Sequence, residues 1–120
     1  MQIACFRRGV VAPMDEYSKE IECGCFRSPV RVEFIPIDDQ LFDLLWNEQI
    51  FHILNKSCGL RIDDYEEEEI CSEKLPHAID AVDKIIKSKL EVSDIIRFLE
   101  MLKALMQNAI KNNVSIWFVL

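Results

Sequence analysis

The stretch from Asp94 to Leu120 limits what this chain can fold into more than any other. Within it, Ile95, Phe98, Leu99, Leu102, Leu105, Met106, Ala109 and Ile110 recur at three- and four-residue steps, the spacing of one apolar helix face. Ser93 can cap this helix, and Asn112-Asn113 can take the left-handed conformation that ends one. Val114 to Leu120, VSIWFVL, follows at once and is apolar almost throughout. A strand of that kind is buried on both faces and belongs in the middle of a sheet. The chain must therefore build a sheet around this strand and lay a long helix against it.

The segments upstream supply the rest. Gln2 to Phe6 reads as a short strand and Val10 to Tyr17, with Pro13, as a loop. Lys19 to Phe26 alternates Ile21, Cys23 and Cys25 with polar residues. Val30 to Ile35 alternates Val30, Val32 and Phe34, read as inward, with Arg31 and Glu33. Period-two patterns mark strands with one wet face, and Arg27-Ser28-Pro29 between them predicts an antiparallel hairpin ended by Pro36. Asp38 and Asp39 can cap a helix running from about Gln40 to Lys56, with Gly59 as its stop. A second helix is predicted from Glu73 to Lys87, with Pro76 tolerable in its first turn. The fold expected is α+β in a single domain, residues 1–120. It has a small mixed sheet with an N-terminal β-hairpin and a central C-terminal strand, and three helices packed on one face.

Charge is distributed unevenly. Leu60 to Glu73, LRIDDYEEEEICSE, holds seven carboxylates against Arg61 alone, a local charge of −6 in a chain whose total is −7. Such a segment repels nucleic acid and acidic membranes and attracts a basic partner over about 8 Å at physiological salt. Glutamate runs are commonly just solvated. This one is bracketed by Leu60, Ile62, Tyr65 and Ile70, which should tie it to the core as a loop, an edge strand or a helical turn.

Other chemistries find little support. The five cysteines (Cys5, Cys23, Cys25, Cys58, Cys71) form no zinc or disulfide spacing and read as free thiols of a cytoplasmic protein. His52 and His77 sit in no motif that fixes a nucleophile. The acidic run lacks the spacing and glycine of a calcium loop, and three scattered glycines make no phosphate loop. A pI near 4.8 without a basic stripe argues against nucleic-acid binding. No window is long and apolar enough for a membrane span. The expectation is a binding protein with no catalytic residue, metal or cofactor.

A small acidic chain with IDDYEEEEI before a helix, and FLEMLKALMQNAIKNNVSIWFVL at its end, resembles the immunity proteins of bacterial polymorphic toxin systems, including contact-dependent growth inhibition. The resemblance covers roughly Gly59 to Leu120. It implies an antidote that binds and occludes a cognate toxin domain, commonly a basic nuclease. Asp63, Asp64, Glu66, Glu67, Glu68 and Glu69 would meet the toxin, with Tyr65 as an aromatic anchor or, equally, a core residue. Phe42 and Trp46 could form an exposed aromatic patch instead of packing inward. Competing readings are an oligomeric protein (a homodimer is compatible) with a merely solvated acidic face, a thiol- or metal-dependent enzyme or sensor using Cys23 and Cys25, with Cys71 as a further candidate, and a DNA-mimicking regulator.

Overall fold

The computed structural model describes residues 8–13, 32–63, 67–88 and 92–120. The strands expected at Gln2–Phe6 and Lys19–Phe26, and the turn at Arg27–Pro29, lie outside these residues. So do Cys5, Cys23, Cys25, Asp64, Tyr65 and Glu66. The described elements, in chain order, are β1 (Gly9–Pro13), β2 (Val32–Pro36), α1 (Asp39–Asn47), α2 (Ile50–Cys58), β3 (Glu67–Ile70), α3 (Leu75–Lys87), α4 (Ser93–Lys111) and β4 (Ile116–Val119). They form an α+β fold whose four strands stand in the order β2-β1-β4-β3. The terminal strand β4 is central, as its apolar run predicts.

One correction concerns the number of helices. The single helix expected at Gln40–Lys56 is two, α1 and α2, so the described chain has four. Asp38 caps α1, accepting a hydrogen bond from the Leu41 N–H at 2.7 Å. The helix then breaks at Gln49, which adopts left-handed φ of 62°. The cause lies in the apolar phase. Leu45 and Leu54 are nine residues apart, about two and a half turns, so in one continuous helix they would face opposite ways. Both have no exposure at all. Breaking the helix turns both into one core, and the wide apolar face of the sequence resolves into two narrow ones. Gly59, at φ 67°, ends α2.

A second correction follows from the first. The sheet is not mixed: each pairing of described strands is antiparallel. Two helices, α1 and α2 or α3 and α4, return the chain to the end of the sheet it left, so the next strand runs in the reverse direction. A lone helix would have produced a parallel neighbour.

The strand segments also differ from expectation. Val10–Pro13, the start of the Val10–Tyr17 segment that reads as loop, belongs instead to strand β1 (Gly9–Pro13), with the proline tolerated as its last residue. A side chain at Gly9 would fall on the Ile35 carbonyl and within 2.8 Å of the Phe34 ring, so only glycine fits there. In β2 the alternation is right but the facing is reversed. Ile35 faces the helices and is buried, while Phe34 lies on the other face. Glu33 shares the helix side and accepts a hydrogen bond from Asn108 of α4 at 3.3 Å, which satisfies it there. In β4, only Ile116 and Phe118 are fully buried; Trp117 and Val119 are half-buried on the far face.

The core lies between the helices and one sheet face. Val10, Ala12, Ile35, Ile70, Ile116 and Phe118 from the sheet meet Leu45, Phe51, Leu54, Val82, Leu99, Leu102 and Met106 from the helices. In α4 every apolar position of the sequence pattern except Ile110 is buried. Its cap differs in detail, because Ser93 is already helical and Val92 is the capping residue. Phe42 is buried, with the Arg8 guanidinium 4.3 Å from its ring, and Arg8 pairs with Asp39 at 2.6 Å.

Outside the core, Asp83 on α3 joins the two long helices. It takes Lys103 of α4 and Lys87 of its own helix, each at 2.8 Å. Hydrogen bonds from Lys103 and Lys87 hold its carboxyl down at about 2. The Asp83 contribution to stability is therefore fully present above the usual carboxylate range near pH 4. It disappears as pH falls through about 2. In the Asp83→Asn variant, acid unfolding followed by circular dichroism should lose that dependence between pH 4 and 2. An unchanged acid limb would show the clamp to be energetically silent.

Candidate acidic binding face

The described end of the acidic run, Glu67–Ile70, is strand β3 at the edge of the described sheet, and an edge strand is one of the three conformations the sequence allowed. Ile62, before it, and Ile70, at its end, are 2% and 0% exposed, so both flanks are anchored. Asn55 of α2 fixes the approach: its Oδ1 accepts from the Ile62 N–H at 2.7 Å, and its Nδ2 donates to the Ile62 carbonyl at 3.0 Å. The side chain thus serves Ile62 as a neighbouring strand would. The Arg61 N–H donates to the Glu68 carboxylate at 2.9 Å. Ser115, just before β4, donates its hydroxyl to Glu69 at 2.6 Å.

Sheet register sets where the carboxylates point. Glu68 pairs with Phe118 on the helix side and is half-buried. Glu67 and Glu69 pair with Val119 and Trp117 on the opposite face and are exposed. That face continues through Val11, opposite Trp117, to Phe34 of β2. The result is an apolar row ending in exposed carboxylates at the β3 edge. Asp63 is exposed as well. The structure therefore brings Glu67 and Glu69 together and directs Glu68 elsewhere. Asp64, Tyr65 and Glu66 lie outside the described residues.

Sequence reasoning missed the residues that hold this face, Asn55 and Ser115, since a lone polar residue beside an apolar run carries no signal of its partner. Trp117 and Val119 belong to the nearly continuous apolar run VSIWFVL, which reads as buried on both faces and so conceals their half-buried position.

The other candidate groups fall into structural places. His77 bonds the Ser57 carbonyl at 2.6 Å, joining the start of α3 to the end of α2. His52 is exposed and meets the Trp46 ring edge-on at 4.8 Å. Trp46 is 36% exposed and stacks on buried Phe42, so the aromatic pair is half core and half surface. Cys58 is buried, and burial pushes its thiol upward, with Lys74 opposing. Among the described residues, no three His, Cys, Asp or Glu side chains are placed to hold a metal ion. No described helix is long and apolar enough to cross a membrane. A groove of about 320 Å³ lies between α1 and α4 at the β2 edge, lined by Ile35, Leu41, Leu44, Phe98 and Met101. The order β2-β1-β4-β3 puts it at the opposite side of the sheet from the acidic edge.

No family model and no curated protein matches the chain. Among solved structures, the fold is similar to that of the Neisseria DNA mimic protein DMP12, with a TM-score of 0.60. The match covers 95% of this chain and 100% of that one at 12% sequence identity. At that identity the likeness establishes a shared α+β architecture.

Proposed function

We propose that this chain is a non-catalytic, cytoplasmic antidote that occupies the basic, nucleic-acid-binding surface of a toxin domain, a nuclease, through its acidic edge. One observation supports the reading: three of the carboxylates, Glu67, Glu68 and Glu69, stand on a strand whose end, Ile70, is in the core. Packed like charges are unfavourable by a few tenths of a kcal/mol per pair. Here they recur on a strand fixed by Asn55, Ile62 and Ile70, where a purely solvated run needs no anchoring. Alternate residues on a strand are about 6.7 Å apart, close to two phosphate levels of a DNA strand at about 3.4 Å each. Glu67 and Glu69 have that spacing, so they can stand in for phosphates at a cationic site. Complementary charge also accelerates encounter, which suits the capture of a toxin.

A second reading shares this mechanism and differs in the partner: a regulator that mimics DNA toward a nucleic-acid-binding protein. The fold shared with a protein named as a DNA mimic favours it. One experiment addresses both, namely capture from cells carrying the native locus at low and high salt, with double-stranded DNA as competitor. A basic partner should be released by salt and by DNA. The Glu67, Glu68, Glu69→Gln triple variant should capture it about tenfold less well. Co-purification of a toxin encoded beside this gene selects the antidote, and of a chromosomal DNA-binding protein the regulator. Capture indifferent to salt, DNA and the triple variant would overturn both, as would a stable self-associated protein that binds nothing.

A further inference from the structure

The β3 edge carries a feature that charge alone does not use. β3 pairs with β4 on one side, and among the described residues no strand pairs with it on the other. In an antiparallel pair, each residue's N–H and C=O turn together toward one side and alternate along the strand. Every second residue of β3 therefore turns its donor and acceptor away from β4, toward a side on which no described strand pairs. Such an edge is a template for another strand.

Its side chains decide which strand can come. A second copy of this chain would place Glu67, Glu68 and Glu69 against the same residues, and like charges directly opposite are unfavourable. The edge is thus closed to self-pairing. Toward a lysine- or arginine-bearing strand the same carboxylates are complementary. Glu68 is engaged by the Arg61 N–H on the helix side, while Glu67 and Glu69, the latter also accepting from the Ser115 hydroxyl, are exposed on the other face beside Val119 and Trp117. An incoming strand would lay cationic side chains on that face, next to Glu67 and Glu69. It would lay apolar ones on the helix side, where Ile70 meets the core.

We infer that the partner of this protein donates a strand of alternating basic and apolar residues that extends the sheet beyond β3. The inference rests on the acidic-face reading and adds its binding mode. Charge gives attraction, and backbone pairing along Glu67–Ile70 gives register.

The test uses a peptide of alternating lysine and valine, and its counterpart N-methylated at every second amide. The counterpart keeps the charges and loses the outward-pairing donors. The intact, isotope-labelled protein is followed by amide shifts and hydrogen exchange. The plain peptide is expected to shift the Glu67–Ile70 amides and slow the exchange of alternate ones. The N-methylated peptide should bind about tenfold more weakly, the effect of losing a pair of interstrand hydrogen bonds. Equal binding of both peptides would overturn strand addition while leaving the acidic face as an electrostatic surface. Shifts confined to side chains or to residues away from β3 would overturn it too, as would failure of the plain peptide to bind. In each case the capture experiment with the glutamine variant still decides the acidic-face reading by itself. Because the protein is unaltered in every arm, loss of folding cannot imitate a negative result.

Discussion

Phe118→Ala should lower the stability of this protein by about 3–5 kcal/mol, a large share of the 5–15 kcal/mol typical of a domain. Phe118 has no exposed surface, stands in the central strand, and is paired with Val10 on one side and Glu68 on the other. Its ring meets that of Phe51 edge-on, at 6.3 Å between centroids and 87° between planes. Removing it takes away buried apolar area and leaves a cavity. Rigid strands on both sides and the helices above oppose its collapse. Ile53→Ala, at a residue 40% exposed on α2, provides the contrast and should stay within about 0.5 kcal/mol of the parent. Urea unfolding of the two variants measures the difference. A loss of about 1 kcal/mol or less at Phe118 would contradict the central packing of β4.

The same residue shows why parts of this fold are legible in sequence. VSIWFVL has no polar residue after Ser115, and only a central strand accommodates such a run, so its place could be read directly. The long helix α4 was equally plain, because its apolar residues keep one phase over its whole length. The break at Gln49 was recorded in the sequence as well, in the opposed phases of Leu45 and Leu54, but a wide apolar face conceals a change of phase. β1 was not legible. Its four residues before Pro13 become a strand through pairing with β2 and β4, which is tertiary information.

The acidic run was hidden for a different reason. Period-two alternation identifies a strand only when its two faces differ chemically, and Glu67, Glu68 and Glu69 are identical on both. The function of the segment could be suspected from composition, whereas its division into exposed Glu67 and Glu69 and half-buried Glu68 required the register with β4. Selection for charge along a whole strand erases the signal that would reveal it as a strand. A substrate-mimicking surface is for that reason harder to locate than a catalytic site, where spacing and residue type are specific.

Asn55→Ala separates the contribution of charge from that of placement. The substitution removes no charge, yet it leaves the Ile62 N–H and carbonyl without the side-chain partners at 2.7 and 3.0 Å. Leaving partly buried backbone groups unpaired is unfavourable by about 1–3 kcal/mol each, so a loss of roughly 2–4 kcal/mol is expected. Much of it should appear as local release of the Arg61–Asp63 segment that leads into β3, because α2 keeps its own helical bonds and its Gly59 stop. Capture of the basic partner should then weaken, while its steepness against salt is retained because the number of carboxylates is unchanged. In the glutamine triple variant the reverse holds, and the salt dependence itself flattens. Titrations at several salt concentrations, run where circular dichroism shows both variants folded, distinguish the two patterns. If Asn55→Ala flattens the salt dependence as the glutamine variant does, Asn55 contributes directly to the interface. If it changes neither stability nor capture, the anchoring of the acidic strand by Asn55 has no bearing on its function.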